Sequence, residues 1–99
     1  MAKTPERKVK DAVVTILKRF GAYYFYPVSG GFGRSGVPDI VGCYVGLFIA
    51  IECKAGVGKT TALQDAQIEQ IRQAGGVALV IRETNLNELT DVLTKMESK

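Results

Sequence analysis

Asp39, Glu52 and Lys54 are the residues of this sequence whose types and spacing point most directly to chemistry. Two strand-like runs, Asp39 to Val45 and Leu47 to Cys53, meet at Gly46, the only turn-former between them, and are expected to form an antiparallel hairpin. If the turn consists of Val45 and Gly46, Tyr44 pairs with Leu47, and counting outward sets Asp39 opposite Glu52 on one face. A four-residue loop gives the same pairing. A three-residue loop shifts it by one and separates the carboxylates onto opposite faces. Lys54, two residues beyond Glu52, shares its face under the strand's period of two. Two carboxylates and an ammonium therefore converge at one end of the hairpin.

That convergence is costly unless it is used. Adjacent carboxylates repel, and the strand leading into them, Leu-Phe-Ile-Ala-Ile, reads as buried on both faces. A divalent cation resolves the conflict, and hard oxygen ligands select Mg²⁺ or Mn²⁺. Such a cation acts as a Lewis acid toward a phosphate, with Lys54 placed to orient water or stabilise transition-state charge. A bare Glu-x-Lys is more often a surface cross-strand pair. The preceding Pro38 and Asp39 at matching register, in a basic half-chain, favour the site instead. The sequence has no histidine, which removes Ser-His-Asp hydrolases, the usual zinc enzymes and imidazole-based nucleases.

The elements that must position these groups follow from periodicity. Val9, Val13, Ile16, Leu17 and Phe20 recur at helical spacing from Pro5 to Phe20, with Thr4 as N-cap and Gly21 as terminator. Ala22 to Val28 is aromatic and reads as a strand, and Ser29 to Val37, with four glycines, reads as a loop. Thr60 or Thr61 caps a helix reaching about Ala74, Val77 to Ile81 is a strand, and Asn85 caps a final amphipathic helix. The order is α-β-β-β-α-β-α. Leu63, Gln67 and Ile71 fall at four-residue steps, so the Gln67 amide is expected to face inward, toward the site. Glu6 precedes Val9 and Val13 on the inner face of the first helix, where it either joins the site or merely complements the helix dipole.

With 99 residues and 46% hydrophobic composition, the chain is expected to form one domain over residues 1–99. No apolar run approaches the roughly 20 residues of a spanning helix. The N-terminal residues lack the apolar stretch of a secretory signal, so a soluble cytoplasmic protein is expected. Cys43 and Cys53 fit no zinc or disulfide pattern and are expected to be reduced core residues. The net charge of +3 is uneven: residues 1–60 carry nine Lys/Arg against four Asp/Glu, and residues 61–99 four against six. The basic half holds the candidate site, which suits a phosphate-backbone partner. Two nucleotide-binding motifs fail on context. Gly31-Phe32-Gly33-Arg34-Ser35-Gly36 leads to Pro38 and a strand rather than a helix. Gly58-Lys59-Thr60 has Cys53 where a P-loop needs its first glycine. Glycine loops bordering a site read better, with Arg34 and Lys59 meeting DNA phosphates.

Taken jointly, Gly36-Val37-Pro38-Asp39, Glu52-Cys53-Lys54, Gln67 on the next helix and Gly75-Gly76 before a Val-Ala-Leu-Val-Ile-Arg strand resemble the VRR-NUC domain of the PD-(D/E)xK nuclease superfamily. The resemblance spans roughly Glu6 to Arg82 and implies the restriction-endonuclease-like α/β fold, a central mixed sheet flanked by helices. It implies Asp39, Glu52 and the Cys53 main-chain carbonyl as metal ligands, Lys54 as catalytic lysine, and Glu6 and Gln67 as outer positions of the site. Arg7, Arg34, Gly36 and Lys59 are the expected DNA contacts. The chain is similar to stand-alone phage and bacterial members, which implies a Mg²⁺- or Mn²⁺-dependent endonuclease acting on branched DNA such as Holliday junctions in DNA repair. A two-fold homodimer is expected, because junction resolution needs two symmetry-related cuts. The aromatic strand and the apolar stripe Leu86, Leu89, Val92, Leu93 and Met96 are its candidate surfaces. A catalytically silent DNA-binding module, or a small nucleotide binder, are the alternatives.

Overall fold

The computed structural model describes residues 3–28 and 33–98. Ser29, Gly30, Gly31 and Phe32, the first part of the glycine loop read from the sequence, lie outside the described residues. Helix α1 covers Pro5–Phe20, with the Thr4 hydroxyl accepting from the Arg7 N–H at 3.1 Å. Strand β1 (Tyr23–Phe25) is shorter than its aromatic run suggested. Strands β2 (Ile40–Tyr44) and β3 (Leu47–Cys53) follow, then α2 (Ala62–Gln73), β4 (Val77–Ile81) and α3 (Leu86–Met96).

The sheet order is β1-β2-β3-β4. The first two pairings are antiparallel, and β3 and β4, joined through α2, run parallel. The β2-β3 connection is the two residues Val45 and Gly46, both left-handed with φ of 44° and 84°, and Tyr44 pairs with Leu47. A two-residue turn with both residues at positive φ carries the twist that a tight hairpin needs.

Period-two alternation divides β3 between two layers. Ile49, Ile51 and Cys53 join Val13, Leu17, Leu89 and Leu93 in the larger core, under α1 and α3. Ala50, with Val41 and Ala78, packs on Ile68 of α2. The mixed sheet between helices is the α/β architecture expected of the restriction-endonuclease-like fold, in the expected order.

Four sequence expectations need correction. The apolar stripe of α3 is consumed by the core: Leu89, Leu93 and Met96 are buried and Leu86 and Val92 pack against them, so it offers no surface to a second copy. On α2, Leu63 is 60% exposed and Ile68 only 5% exposed, so the helix is turned about one position from the Leu63-Gln67-Ile71 stripe. Cys43 is exposed, because it shares a face with Phe48 at the part of the sheet that the small α2 layer does not cover. Cys53 is buried as expected. Asn85 precedes α3, but its side chain makes no cap bond to the helix; it accepts from the Arg82 N–H and donates to the Val80 carbonyl and Glu88.

Candidate active site

The hairpin register places the two carboxylates. Ile40 pairs with Ile51, so the next pair outward is Asp39 and Glu52. Both follow the sheet face that carries Ala50 and α2. The Asp39 carboxylate reaches the Cys53 N–H, with Oδ2 accepting at 3.0 Å, and this bond ties the start of β2 to the end of β3.

Glu52 is 2% exposed and is the only buried charged residue among those described. Its Oε2 accepts from the Gln64 amide at 3.2 Å and lies 3.7 Å from Lys54 Nζ. Its Oε1 has no hydrogen-bond partner among the described residues. Burial pushes the Glu52 carboxyl up to about 7, the charge of Asp39 adds to the rise, and Lys54 opposes it. The charge of Glu6, exposed in the first turn of α1, adds a smaller rise. The Cys53 thiol faces the larger core, and burial pushes it up to about 12, with Asp39 and Glu52 adding to the rise. It stays protonated at neutral pH, so Cys53 can offer this site only main-chain groups.

These features suit a hard divalent cation. A buried carboxylate oxygen without a donor, beside a second carboxylate and with a lysine close by, is an unfavourable arrangement that a cation corrects. Among the described residues no cluster of three Cys, Asp or Glu side chains could hold a metal, so main-chain oxygen or water would complete the ligand set.

The remaining sequence candidates are dispersed. Gln67 does not reach Glu52; it is half-buried one helical turn further along α2, lining a groove beside Phe48. The amide at the pair is Gln64, which sequence reasoning missed. Its signal was the capping box it forms with Thr61: its Oε1 accepts from the Thr61 N–H while its own N–H donates to the Thr61 hydroxyl. The box fixes the first turn of α2 and leaves the Gln64 Nε2 group to reach Glu52.

Gly36 (φ 78°) is pressed against that same turn, where a Cβ would meet the Leu63 carbonyl carbon at 2.5 Å. Close backbone packing therefore accounts for this glycine. Arg7 pairs with Asp11 at 3.2 Å, Arg34 donates to Gln70 at 3.2 Å, and Lys59 is exposed. The loop before α2 is held at Gly56 and Gly58, whose carbonyls accept from Arg82, while the Gly56 N–H donates to Glu83.

With this geometry in view, the chain can be compared with known proteins. The model of a family described as archaeal Holliday junction resolvase (hjc) matches residues 6–97. Among solved structures, a "VRR_NUC domain protein" superposes with a TM-score of 0.62 at 22% identity, covering 99% of this chain and 89% of that one. No curated protein sequence matches. The fold expected from the VRR-NUC resemblance is borne out.

Proposed function

Because the chain belongs to the archaeal Holliday junction resolvase family, a family of nucleases acting on branched DNA, we propose that it is a Mg²⁺- or Mn²⁺-dependent endonuclease. Its substrate in this reading is branched DNA, four-way junctions foremost, in which it hydrolyses phosphodiester bonds. One observation carries the reading: Glu52 is buried beside Asp39 and Lys54, with one carboxylate oxygen that has no hydrogen-bond partner among the described residues.

Asp39, Glu52 and the Cys53 carbonyl hold the cation. When bound, it supplies Lewis-acid polarisation of a phosphate and lowers the pKa of water. The chain's own residues do the rest. Lys54, only 14% exposed at its side chain, presents an ammonium to the charge that develops on the phosphoryl oxygens. Gln64 holds one oxygen of Glu52 and thereby orients the carboxylate. Asp39 keeps the two strand ends together through the Cys53 N–H, so the ligands stay on one rigid edge. Arg34 and Lys59 contribute phosphate contacts that position DNA without reading its sequence.

The working unit is a two-fold homodimer, which brings two sites to one junction. Its surface includes Tyr23 and Phe25, exposed on the short edge strand β1.

The test is incubation of a labelled four-way junction, a flap and a linear duplex with Mg²⁺, Mn²⁺ or EDTA. The reading predicts metal-dependent cuts near the junction and slower cutting of duplex. Binding to the junction without cleavage in either metal would instead identify a silent DNA-binding module.

A further inference from the structure

Phe48 lies on the same sheet face as Glu52, four residues earlier on β3, and remains 47% exposed. It forms one side of a groove of about 260 Å³, lined also by Arg34, Gln67, Gln70, Ile71 and Gly76. Gly76 keeps the groove open: a Cβ there would come within 2.9 Å of the Ile71 side chain and 3.3 Å of the Phe48 ring. The apolar walls are Phe48 and Ile71, and the polar groups at its rim are two carboxamides and a guanidinium. Arg34 donates to the Gln70 carbonyl oxygen, which leaves the Gln70 NH₂ available as a donor, and the Gln67 amide bonds no other described residue.

We infer that this groove holds a single unstacked nucleobase of the DNA strand being cut, with its ring against Phe48, its edge toward Gln67 and Gln70, and its adjoining phosphate at Arg34. The inference rests on the nuclease reading above. An aromatic face beside convergent amide and guanidinium groups is the chemistry that recognises a base, whose ring is apolar and whose edge donates and accepts. The cation at Arg34 suits a polyanionic strand. Position supports the same occupant. At about 3.3 Å per residue, Phe48 is about 13 Å from Glu52, roughly two to four nucleotides along a strand whose phosphate lies at the carboxylate pair. Gln64 and Gln67 stand one turn apart on α2, so a single helix spans from the carboxylates to the groove. Branched DNA supplies unpaired or easily unpaired bases at its crossover, which lowers the cost of unstacking one.

The test begins by mapping the cut made by the parent protein in a four-way junction. Affinity is then measured by fluorescence anisotropy, with Ca²⁺ in place of Mg²⁺, for junctions carrying one abasic site at each of four positions on either side of the cut. The parent should lose affinity about tenfold at one or two adjacent positions. Phe48→Ala should lose about the same on the intact junction and nothing more at those positions, while Phe48→Trp should restore both the affinity and the dependence on the base. Losses in Phe48→Ala that simply multiply with the abasic losses, or no loss at all, would overturn the inference. So would a fall from dimer to monomer mass in Phe48→Ala, which would assign the ring to a second copy. If the parent cuts no junction in Mg²⁺ or Mn²⁺, the nuclease reading itself fails; if it cuts and Phe48→Ala binds normally, only the base groove does.

Discussion

Replacing Glu52 by Gln should stabilise the metal-free protein, because it keeps the shape and the Gln64 contact while removing a buried charge with an unpartnered oxygen. The pH dependence has a definite sign. The folded-state carboxyl lies at about 7 against an ordinary value of 4.5, so the folded protein holds the extra proton between those values. The parent's stability from this group is fully present below about pH 4.5 and is lost as pH rises through 7. In EDTA, the advantage of Glu52→Gln should therefore be small at pH 5 and grow to roughly 1–3 kcal/mol above pH 7. Urea unfolding at several pH values measures it; an advantage independent of pH would mean that Glu52 is charged or neutral throughout. Lys54 is expected to act on turnover rather than on binding. Lys54→Ala should lower single-turnover cleavage by about 10² to 10³ while junction affinity changes little. Parental cleavage by Lys54→Ala would remove this lysine from the chemistry.

At the scale of elements, the β2-β3 turn holds a correctable fault. Val45 is an exposed β-branched residue at φ 44°, a conformation that favours Asn or Gly. Val45→Asn should raise stability by about 1 kcal/mol without altering the register, read as a shift in the denaturation midpoint at unchanged slope. A destabilised variant would show that Val45 contributes packing that outweighs its strain. This hairpin was also the most readable part of the sequence. With Gly46 as the only turn-former, a two-residue connection was the natural expectation, and the facing of residues 39 and 52 followed from counting. Helix α2 was harder to read. Ala62, Leu63, Ala66, Ile68, Ile71 and Ala74 place apolar groups around much of its circumference, so its inward face is decided by the sheet it meets rather than by its own pattern. Gln64 was hidden for a related reason: its contact with Glu52 depends on how α2 sits across β3, which no local spacing reveals. The bonds from Arg82 to Gly56 and Gly58 were equally invisible, since they link residues 24 and 26 positions apart. They make a prediction of their own. Lys59→Ala should reduce the salt dependence of junction binding by about one counterion, and it should cost less in an Arg82→Ala background, where the loop is no longer held. Equal costs in both backgrounds would mean that Arg82 does not position Lys59.

At the scale of the whole molecule, the basic residues fall mainly in the N-terminal 60 positions, which supply both carboxylates, Lys54, Arg34 and Lys59. No helix of the described residues is long and apolar enough to cross a membrane. Of the two surfaces that the sequence offered to a second copy, α3 spends its stripe on the core, and β1 keeps Tyr23 and Phe25 exposed. Burial of α3 depends on its packing with α1, and an amphipathic stripe alone does not say which partner it finds. Two sites in one symmetric assembly would cut a junction on both strands within a single encounter. A supercoiled plasmid that extrudes a cruciform tests this together with the metal site. In Mg²⁺ the parent is expected to convert it directly to the linear form with little nicked circle accumulating, while parent in EDTA and Glu52→Gln in Mg²⁺ leave it supercoiled. Linearisation by Glu52→Gln at the parental rate would contradict the central claim that the Asp39 and Glu52 pair is the catalytic metal site.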